Sequence, residues 1–170
     1  MAARRKPGEL VDPLENLLGY QLRRAAFATM AALDAAYAEA GVRMTEAAIL
    51  RFVGANRGCN QAAISRALGV TRTNMVPFVA GLVDDGLIER EASDGRTHAL
   101  FLTAAGEALN LRIAGIADEQ DKRFFGSFDK STRETLLSAL QRVRSAGAAG
   151  GEAEEAGPGP TAARRRRSSR

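Results

Sequence analysis

Two helix signals separated by a tight turn constrain the fold of this chain more than any other feature. Asn60 is a suitable N-cap for a short helix that stops at Gly69, and Thr71 is a suitable N-cap for a second helix that stops at Gly86. A helix, a tight turn and a second helix at this distance have the spacing of a helix-turn-helix. From this segment alone, two generic packed helices are an equally good interpretation.

The residues that follow the second helix favour the helix-turn-helix. Residues 87–91 and 98–102 have the pattern of short strands, and residues 92–95 have the composition of a turn. A helix-turn-helix with a two-stranded wing is a winged helix. We therefore predict a mainly α fold with a small β-wing, in which about residues 45–102 form the winged-helix lobe.

Long amphipathic helices are predicted on both sides of this lobe. Small and apolar residues recur every three or four positions between Leu14 and Ala40, which indicates one helix over 14–40. Thr45 is the predicted N-cap of the next helix. The residues expected to point inward from that helix are Ala48, Ile49, Phe52 and Val53.

Two further helices are predicted after the wing. Thr103 is a suitable N-cap for a helix from 104 to about 125, and Ser131 and Glu134 form an S-x-x-E capping box before a last helix. The residues available for burial on the first of these helices are Leu109, Leu111, Ile113 and Ile116. The ordered domain is expected to cover 10–146.

Charge is concentrated at both ends of the chain and around the helix-turn-helix. Residues 1–9 hold three basic residues against one glutamate, and residues 147–170 hold five arginines against three glutamates. Residues 41–80 hold five arginines against one glutamate, which predicts a surface that attracts a polyanion. Because 147–170 is rich in Gly, Pro and charge, we expect it to be disordered, and we expect the basic segment 1–9 to be flexible.

The chain lacks the residue combinations that several other function classes require. With one cysteine, Cys59, and one histidine, His98, it has neither a disulfide framework nor a His/Cys metal cluster. It has no paired catalytic motif and no phosphate-binding loop, so we expect no enzyme and no cofactor. No apolar run approaches the roughly 20 residues of a membrane span, and there is no apolar signal segment, so a cytoplasmic location is expected.

Three motifs occur in a fixed order around the wing. They are GVTRTNMVPFVAGLVDDGLIER at 69–90, D-G-R at 94–96 and LTAAG at 102–106. In this order they resemble the MarR family of bacterial transcriptional regulators, and the similarity extends from about residue 14 to 145. The resemblance implies a homodimer in which dimerisation helices, 14–40 and 104–146, interlock. It also implies that each subunit presents its second lobe helix to the major groove of a pseudo-palindromic operator.

Two positions depart from the family pattern. The wing of the family usually reads D-x-R-R or D-R-R, whereas Gly95 here replaces the first arginine and leaves Arg96. Pro77 stands where the recognition helix of the family often carries an arginine. Both departures remove a basic side chain, so recognition is expected to depend more on the first turn of the helix.

The first turn of this helix carries the residues that we expect to read DNA. A helix N-terminus offers unpaired amides and partial positive charge, so Thr71, Thr73 and Asn74 can bind phosphates or bases. Arg72 can contact guanine and Asn74 can contact adenine in bidentate fashion, each giving about 1–3 kcal/mol of discrimination. The alternatives are that Asn74 only completes the capped turn and that Arg72 is only solvated.

Pro77 lies inside the same helix, where a proline costs about 3 kcal/mol because it lacks an N–H and crowds the preceding turn. We expect a bend or an opened turn that re-aims residues 71–74 and frees the carbonyl of Thr73 to accept a hydrogen bond from DNA. A tolerated bend without a role in recognition is the equally weighted alternative.

The wing and the tail supply further basic residues. Arg96 is expected to enter a narrow minor groove, where the negative potential is strongest. Asp94 cannot attract phosphate, so its expected role is to brace Arg96 or Arg90 across the wing. The arginine run 164–167 is expected either to add salt-sensitive affinity for any DNA or to act only as a solubilising tail.

The resemblance also implies regulation by a small ligand. MarR relatives often bind aromatic acids between the dimerisation helices and the winged helix, and such a ligand must weaken DNA affinity by a reciprocal coupling factor. We therefore expect a repressor that is released by an aromatic acid or its coenzyme A thioester. The residues expected to line the cleft are Arg23, Arg24, Phe27 and Phe52, with ordinary core and surface roles as the alternative.

Two other functions stay open from the sequence. One is an architectural DNA-binding protein that uses its basic ends without an inducer. The other is a redox response through Cys59, because a nearby arginine, Arg57 in this chain, can activate a thiolate. A lone cysteine at a helix boundary more often has only a structural role.

Overall fold

The computed structural model describes residues 12–92 and 98–150, with side chains as far as 147. The chain divides into two compact units, one that ends at Gly126 and one that begins at Ser127. Within the described residues, the predicted mainly α fold with a small β-wing is confirmed. The elements are α1 (Leu18–Glu39), α2 (Met44–Ala55), α3 (Gln61–Leu68), α4 (Arg72–Asp84), β1 (Ile88–Ala92), β2 (His98–Leu102), α5 (Ala104–Phe125) and α6 (Lys130–Gly150).

Side-chain caps begin three of these helices at the predicted residues. Asn60, Thr71 and Thr103 each accept a hydrogen bond from the backbone N–H three residues further on, at 2.9, 3.4 and 3.1 Å. Gly69 and Gly86 follow the ends of α3 and α4 with φ angles of 65° and 68°, a left-handed conformation that glycine adopts without strain. The helix-turn-helix therefore begins and ends where the cap and stop residues predict.

The start of α1 differs from the prediction. Residues 13–16 form a turn, in which the Asp12 carboxylate accepts a hydrogen bond from the N–H of Leu14 at 2.9 Å. The N–H of Leu17 then donates to the carbonyl of Leu14 at 2.9 Å. The prediction that the helix begins at Leu14 is therefore wrong, because Asp12 closes a separate turn before α1 begins at Leu18.

The predicted caps of α2 and α6 are also wrong. The N-cap of α2 is Arg43 rather than Thr45, and its N–H donates to the carboxylate of Glu46 at 3.0 Å. At α6 the carboxylate of Asp129 accepts from the N–H of Thr132 at 2.7 Å, so Ser131 lies within the first turn. At α6 a carboxylate accepts the hydrogen bond that a hydroxyl was expected to accept, and at α2 a carboxylate of the first turn accepts from the N-cap N–H.

The end of α6 lies beyond the predicted end of the domain. Residues 147–150 are helical, although they belong to the segment that was expected to be disordered. Alanines at 146, 148 and 149 favour continuation of a helix. The segments 1–11, 93–97 and 151–170 lie outside the described residues, so the predicted flexible end, wing turn and arginine run stay predictions.

The two strands of the wing pair antiparallel, with Ile88 opposite Leu102 and Ala92 opposite His98. On its other side, Leu100 exchanges backbone hydrogen bonds with residues 58 and 59, at 3.0 and 2.9 Å. This third contact was not predicted, because a two-residue pairing leaves no periodic pattern in the sequence. It attaches the wing to the segment between α2 and α3.

One hydrophobic core joins the lobe to α1 and α5. Its fourteen buried apolar members are Tyr37, Val42, Ala47, Ile49, Leu50, Val53, Ile64, Met75, Val79, Leu82, Ile88, Leu100, Leu102 and Ile113. Ala48 and Phe52 were expected to point inward but are only partly buried. Leu111 is 76% exposed and was expected to be available for burial. Helical spacing located the buried side of each helix to within about one position. It did not show which residues on that side are the most deeply buried.

Candidate nucleic-acid interface

α4 has a buried side and an exposed side. The side chains of Met75, Val79 and Leu82 are buried in the core, as their spacing predicts. The exposed side begins at the N-terminus and holds Arg72, Thr73, Asn74, Val76 and Pro77. Four of the six residues predicted to contact DNA, Arg72, Thr73, Asn74 and Pro77, therefore lie together on one exposed helix surface.

The N-terminus of α4 is suited to an anion. Thr71 accepts from the N–H of Asn74 at 3.4 Å, and the N–H of Met75 donates to the carbonyl of Thr71 at 3.0 Å. The N–H groups of Arg72 and Thr73 have no acceptor within the helix, as in the first turn of any α-helix. These amides and the partial positive charge of the helix end favour phosphate at this position.

Pro77 does not interrupt α4. The helix continues through Pro77 to Asp84, so the prediction of an opened turn is wrong for this helix. Proline has no N–H to donate, so the carbonyl of Thr73 lacks its usual helical donor, as predicted. The missing hydrogen bond destabilises α4, but the burial of Met75, Val79 and Leu82 on its other side stabilises the helix.

A contact between α2 and α4 fixes the position of the exposed surface. The guanidinium of Arg43 lies 5.4 Å from the ring centre of Phe78 on α4, and its Nε donates to Glu46 at 2.8 Å. The hydrogen bond from Arg43 holds the pKa of Glu46 below its usual range. Arg43 was predicted only as one charge in a basic segment. Because its partners lie 3 and 35 positions along the chain, only the first could have been anticipated.

The basic segment 41–80 is partly neutralised in the folded chain. Arg43 pairs with Glu46, and Arg57 pairs with Glu107 at 3.1 Å. The side chains of Arg51, Arg66 and Arg72 are exposed, and no acidic group within the described ranges lies at ion-pair distance from them. The local excess of positive charge therefore comes from three arginines, of which Arg72 is on α4.

The wing contributes one described arginine. Arg90 is exposed on β1, opposite Leu100 and between two exposed glutamates. Asp94 and Arg96 lie outside the described residues, so the predicted brace between Asp94 and Arg90, and the minor-groove contact of Arg96, stay predictions.

The lone cysteine lacks the environment of an activated thiol. Burial raises the pKa of Cys59, which favours the neutral thiol over the thiolate. Arg57, the arginine that was expected to activate it, is engaged by Glu107 instead. His98, the one histidine of the chain, is exposed on β2.

The four predicted ligand residues do not share one pocket in this chain. Phe27 is 78% exposed on α1, whereas Phe52 packs against the core. Arg23 is exposed, and Arg24 lies 5.7 Å from the ring centre of Tyr20 and 3.9 Å from Asp12. Their helices were predicted correctly, but the directions of their side chains were not available from the sequence.

Two cavities border α5. One of about 140 Å³ lies against α1 and is lined by Thr29, Leu33, Ala117, Gln120, Asp121, Phe124 and Phe125. The other, of about 210 Å³, is lined by Gly54, Arg57, Leu102, Glu107 and Asn110. In each cavity an amide oxygen, of Gln120 or of Asn110, is buried without a hydrogen-bond donor from the described part of the chain. Sequence reasoning missed both, because each combines residues of helices that are distant along the chain.

Comparison with known proteins identifies the family. Residues 40–97 match the sequence model of the MarR family. A protein described as a candidate transcriptional regulatory protein for the hcr operon of Thauera aromatica is 30% identical over 129 residues, which are 74% of this chain and 78% of that protein. The chain belongs to the MarR family. It is therefore a DNA-binding transcriptional regulator, as the resemblance of its motifs implied.

Solved structures show the same winged-helix fold. The transcriptional repressor CouR, bound to a 23-mer DNA duplex, is 31% identical, with a TM-score of 0.70 over 84% of this chain and 99% of that one. CouR bound to p-coumaroyl-CoA is 30% identical, with a TM-score of 0.68 over 80% and 98% of the two chains. A MarR family protein of Mycobacterium tuberculosis in complex with p-aminosalicylic acid is 27% identical, with a TM-score of 0.60 over 74% and 97%.

The MarR family is a family of transcriptional regulators and not a class of enzymes. In residues 12–92 and 98–150 of this MarR-family protein, no helix has the length and apolar character needed to cross a bilayer. The same residues contain no group of three or more acidic, histidine or cysteine side chains that could hold a metal ion.

Proposed function

We propose that this MarR-family protein is a homodimeric repressor that holds one pseudo-palindromic operator and releases it when a small aromatic ligand binds. The observation that carries the proposal is the exposed surface of α4, which groups Arg72, Thr73 and Asn74 beside a free helix N-terminus. The similarity to a repressor bound to a DNA duplex supports it.

Each α4 is proposed to enter a major groove with its N-terminus first. Thr71 and Thr73 then bind phosphates, and Arg72 and Asn74 contact guanine and adenine. Pro77 faces the same groove, and Arg96 of the wing reaches the neighbouring minor groove, with Arg90 and Asp94 in support. The two half-sites are one helical turn apart, about 10–10.5 base pairs, because two copies of α4 read one face of the duplex.

Apolar residues that a single copy leaves exposed support a homodimer. Leu18 on α1 is 88% exposed, and α6 has no buried side chain among its described positions. The exposed apolar residues of α6 are Leu137, Leu140 and Val143. Apolar stripes that are exposed on two helices are typical of a protein–protein interface, because contact with a partner removes them from water. We propose that α1, α5 and α6 form the dimer interface.

The effector is proposed to be an aromatic acid or its coenzyme A thioester. The cavity between α1 and α5 has the two rings of Phe124 and Phe125, and the oxygen of Gln120 lacks a donor. A ring with a hydroxyl group fits this chemistry, while Asp121 disfavours a free carboxylate at the same place. Arg23, Arg24, Phe27 and Phe52 contribute to binding only if a second copy closes over α1, because they do not form a pocket in one chain. Similar proteins bound to p-coumaroyl-CoA and to p-aminosalicylic acid support the ligand class.

Titration of labelled DNA with the full-length protein tests operator binding. The DNA upstream of its own gene should bind roughly 10³-fold more tightly than shuffled DNA of the same composition. Arg72→Ala and Asn74→Ala should each reduce that preference by about 30-fold or more, because one contact of about 1–3 kcal/mol is lost in each half-site. Arg66→Ala, which removes an exposed arginine from α3, is the matched control and should leave the preference unchanged.

A thermal-shift screen of aromatic acids and their coenzyme A thioesters tests the effector. A compound that raises the melting temperature should also release the operator, and the operator should weaken the binding of that compound by the same factor. If no compound both stabilises the protein and releases DNA, the ligand part of the proposal fails. Equal affinity for operator and shuffled DNA would instead favour an architectural protein. Loss of binding under peroxide that Cys59→Ser prevents would favour redox control.

A further inference from the structure

α4 exposes apolar surface in the middle of the side that carries its polar residues. Val76 is 49% exposed, and Pro77 is exposed as well. Together with Arg72 and Thr73 they line one shallow depression, most of whose surface is apolar. Because Val76 follows Arg72 by four positions and Pro77 follows Thr73 by four, each apolar residue lies one helical turn beyond a polar one.

This apolar pair does not serve the core. The core contacts of α4 come from Met75, Val79 and Leu82, which are buried on the other side of the helix. Valine and proline are also poor choices for an exposed helix interior, since both have lower helix propensity than the common polar residues. The pair therefore lowers the stability of α4 without a gain in packing inside this chain, and its surroundings point to a contact with a partner.

The chemistry of the major groove identifies that partner. Of the four bases, only thymine presents an apolar group there, the methyl group on C5, and the other edges present donors and acceptors. We propose that Val76 and Pro77 form an apolar contact for a thymine methyl group, one helical turn from the base that Arg72 contacts. The inference rests on the proposed docking of α4 in the major groove.

The proline is suited to this contact. Its ring places three methylene groups in a fixed position, so no side-chain freedom is lost when they are buried against DNA. Arginine at the same position, as is frequent in the family, would instead present a charged donor that suits guanine. The departure at Pro77 therefore changes the expected preference of the helix from a G·C pair towards a T·A pair.

The test uses the full-length protein and its operator with single thymines replaced by deoxyuridine, which removes only the methyl group. At the contacted thymine, we expect about fourfold weaker binding when one half-site is changed and about fifteenfold when both are changed. In the double variant Val76→Ala, Pro77→Ala the two operators should bind equally. The control is Val83→Ala, a valine-to-alanine substitution on the core side of α4. It should keep the full difference in affinity between the thymine and deoxyuridine operators.

The outcomes separate the inference from the proposed function. A deoxyuridine effect that persists undiminished in the double variant would mean that the methyl group acts through DNA shape, and it would overturn the inference. If no thymine shows an effect while the operator is still preferred over shuffled DNA, the inference is wrong and the proposed function stands. If the protein does not prefer its operator at all, both are wrong.

Discussion

The lobe of α2, α3, α4 and the wing uses its apolar residues in the opposite way to the terminal helices α1 and α6. In the lobe, apolar side chains of each helix meet in one core, and Ile49, Ile64 and Met75 are fully buried. On α1, Leu18 and Phe27 are among the most exposed residues, and α6 buries none of its described side chains.

This difference separates two sources of stability. The lobe can fold on contacts within its own chain, because its apolar residues are already out of water. α1 joins this core through Tyr37 near its C-terminal end, but its N-terminal part and α6 leave apolar side chains exposed in a single copy. In the proposed function, DNA reading and dimerisation therefore lie in different regions, and substitutions should affect them separately.

Substitution of Leu18 by glutamate should give the largest effect on one region alone. If Leu18 is buried between two copies, each dimer loses two buried leucines of about 1.5–3 kcal/mol each, so the dissociation constant should rise about 10²- to 10⁴-fold. Sedimentation equilibrium measures this change. At a concentration low enough for the wild type to be a monomer as well, the two proteins should unfold at the same temperature.

Val76→Glu is the control for Leu18→Glu, since Val76 is exposed on the lobe rather than on a terminal helix. It should leave the dimer intact while it removes operator binding. A monomeric Val76→Glu protein, or a Leu18→Glu protein with unchanged association, would break the proposed division between the two regions.

α5 connects both regions, and two of its glycines should respond differently to alanine. A Cβ atom at Gly106 would lie 2.0 Å from the carbonyl oxygen of Leu87, whereas nothing lies within 4 Å of one at Gly115. The backbone at Leu87 cannot move away easily, because its carbonyl also accepts a hydrogen bond from the N–H of Thr103. The hydroxyl of Thr103 donates to the neighbouring carbonyl of Gly86 at 2.6 Å. We expect Gly106→Ala to destabilise the protein by about 3 kcal/mol and Gly115→Ala to stabilise it by about 0.5–1 kcal/mol. Urea unfolding of both variants measures the difference, and equal effects would contradict the close packing of α5 on the lobe.

Arg43→Lys should weaken DNA binding through the position of α4. Lysine keeps the charge but cannot donate through two nitrogens to Glu46 while it lies flat over Phe78. Both the exposed ion pair and the cation–π contact are weakened, so operator affinity should fall roughly threefold. The dependence of affinity on salt should not change, because no phosphate contact is lost. Arg51→Lys on the same helix is the control, and a similar loss there would contradict a role that is specific to Arg43.

The smallest expected effect is the acid sensitivity of Glu46. Its pKa is held below the usual range in the folded state, mainly by the hydrogen bond from Arg43. The stabilisation is therefore complete above the unfolded pKa of Glu46 and is lost as the pH falls through the folded pKa. Urea unfolding at neutral and acidic pH should show a smaller acid loss in Glu46→Gln than in the wild type. Asp129, whose pKa is lowered by the N–H of Thr132, contributes a loss in the same direction to both proteins.

Signals that act over a few residues predicted the fold well. α3, β2 and α5 begin and end at the predicted residues, because a cap and a stop or a turn mark each of them. The error at α6 arose where two side chains competed to cap the same turn, because the carboxylate of Asp129 is a stronger acceptor than a hydroxyl. At α1 a separate turn closed by Asp12 precedes the helix, and at α2 the N-cap is Arg43, whose N–H donates to Glu46.

The candidate site was predicted less completely, because much of it depends on contacts between distant residues. The first turn of α4 was found from local chemistry, since Thr71, Arg72 and Asn74 follow a turn. The contact of Arg43 with Phe78 and the cavity between α1 and α5 required the packed structure. The depression that Val76 lines with Arg72, Thr73 and Pro77 also required the structure, although Val76 lies off the apolar stripe of α4.

The spacing of the two half-sites tests the central claim most directly, since the claim is that two copies of α4 read one face of the duplex. The measurement is the affinity of the full-length protein for its operator with and without an insertion of about five base pairs between the half-sites, which rotates one half-site by half a turn. We predict that the insertion reduces affinity roughly 10³-fold, to the level of shuffled DNA. Unchanged affinity for the lengthened operator would contradict the account.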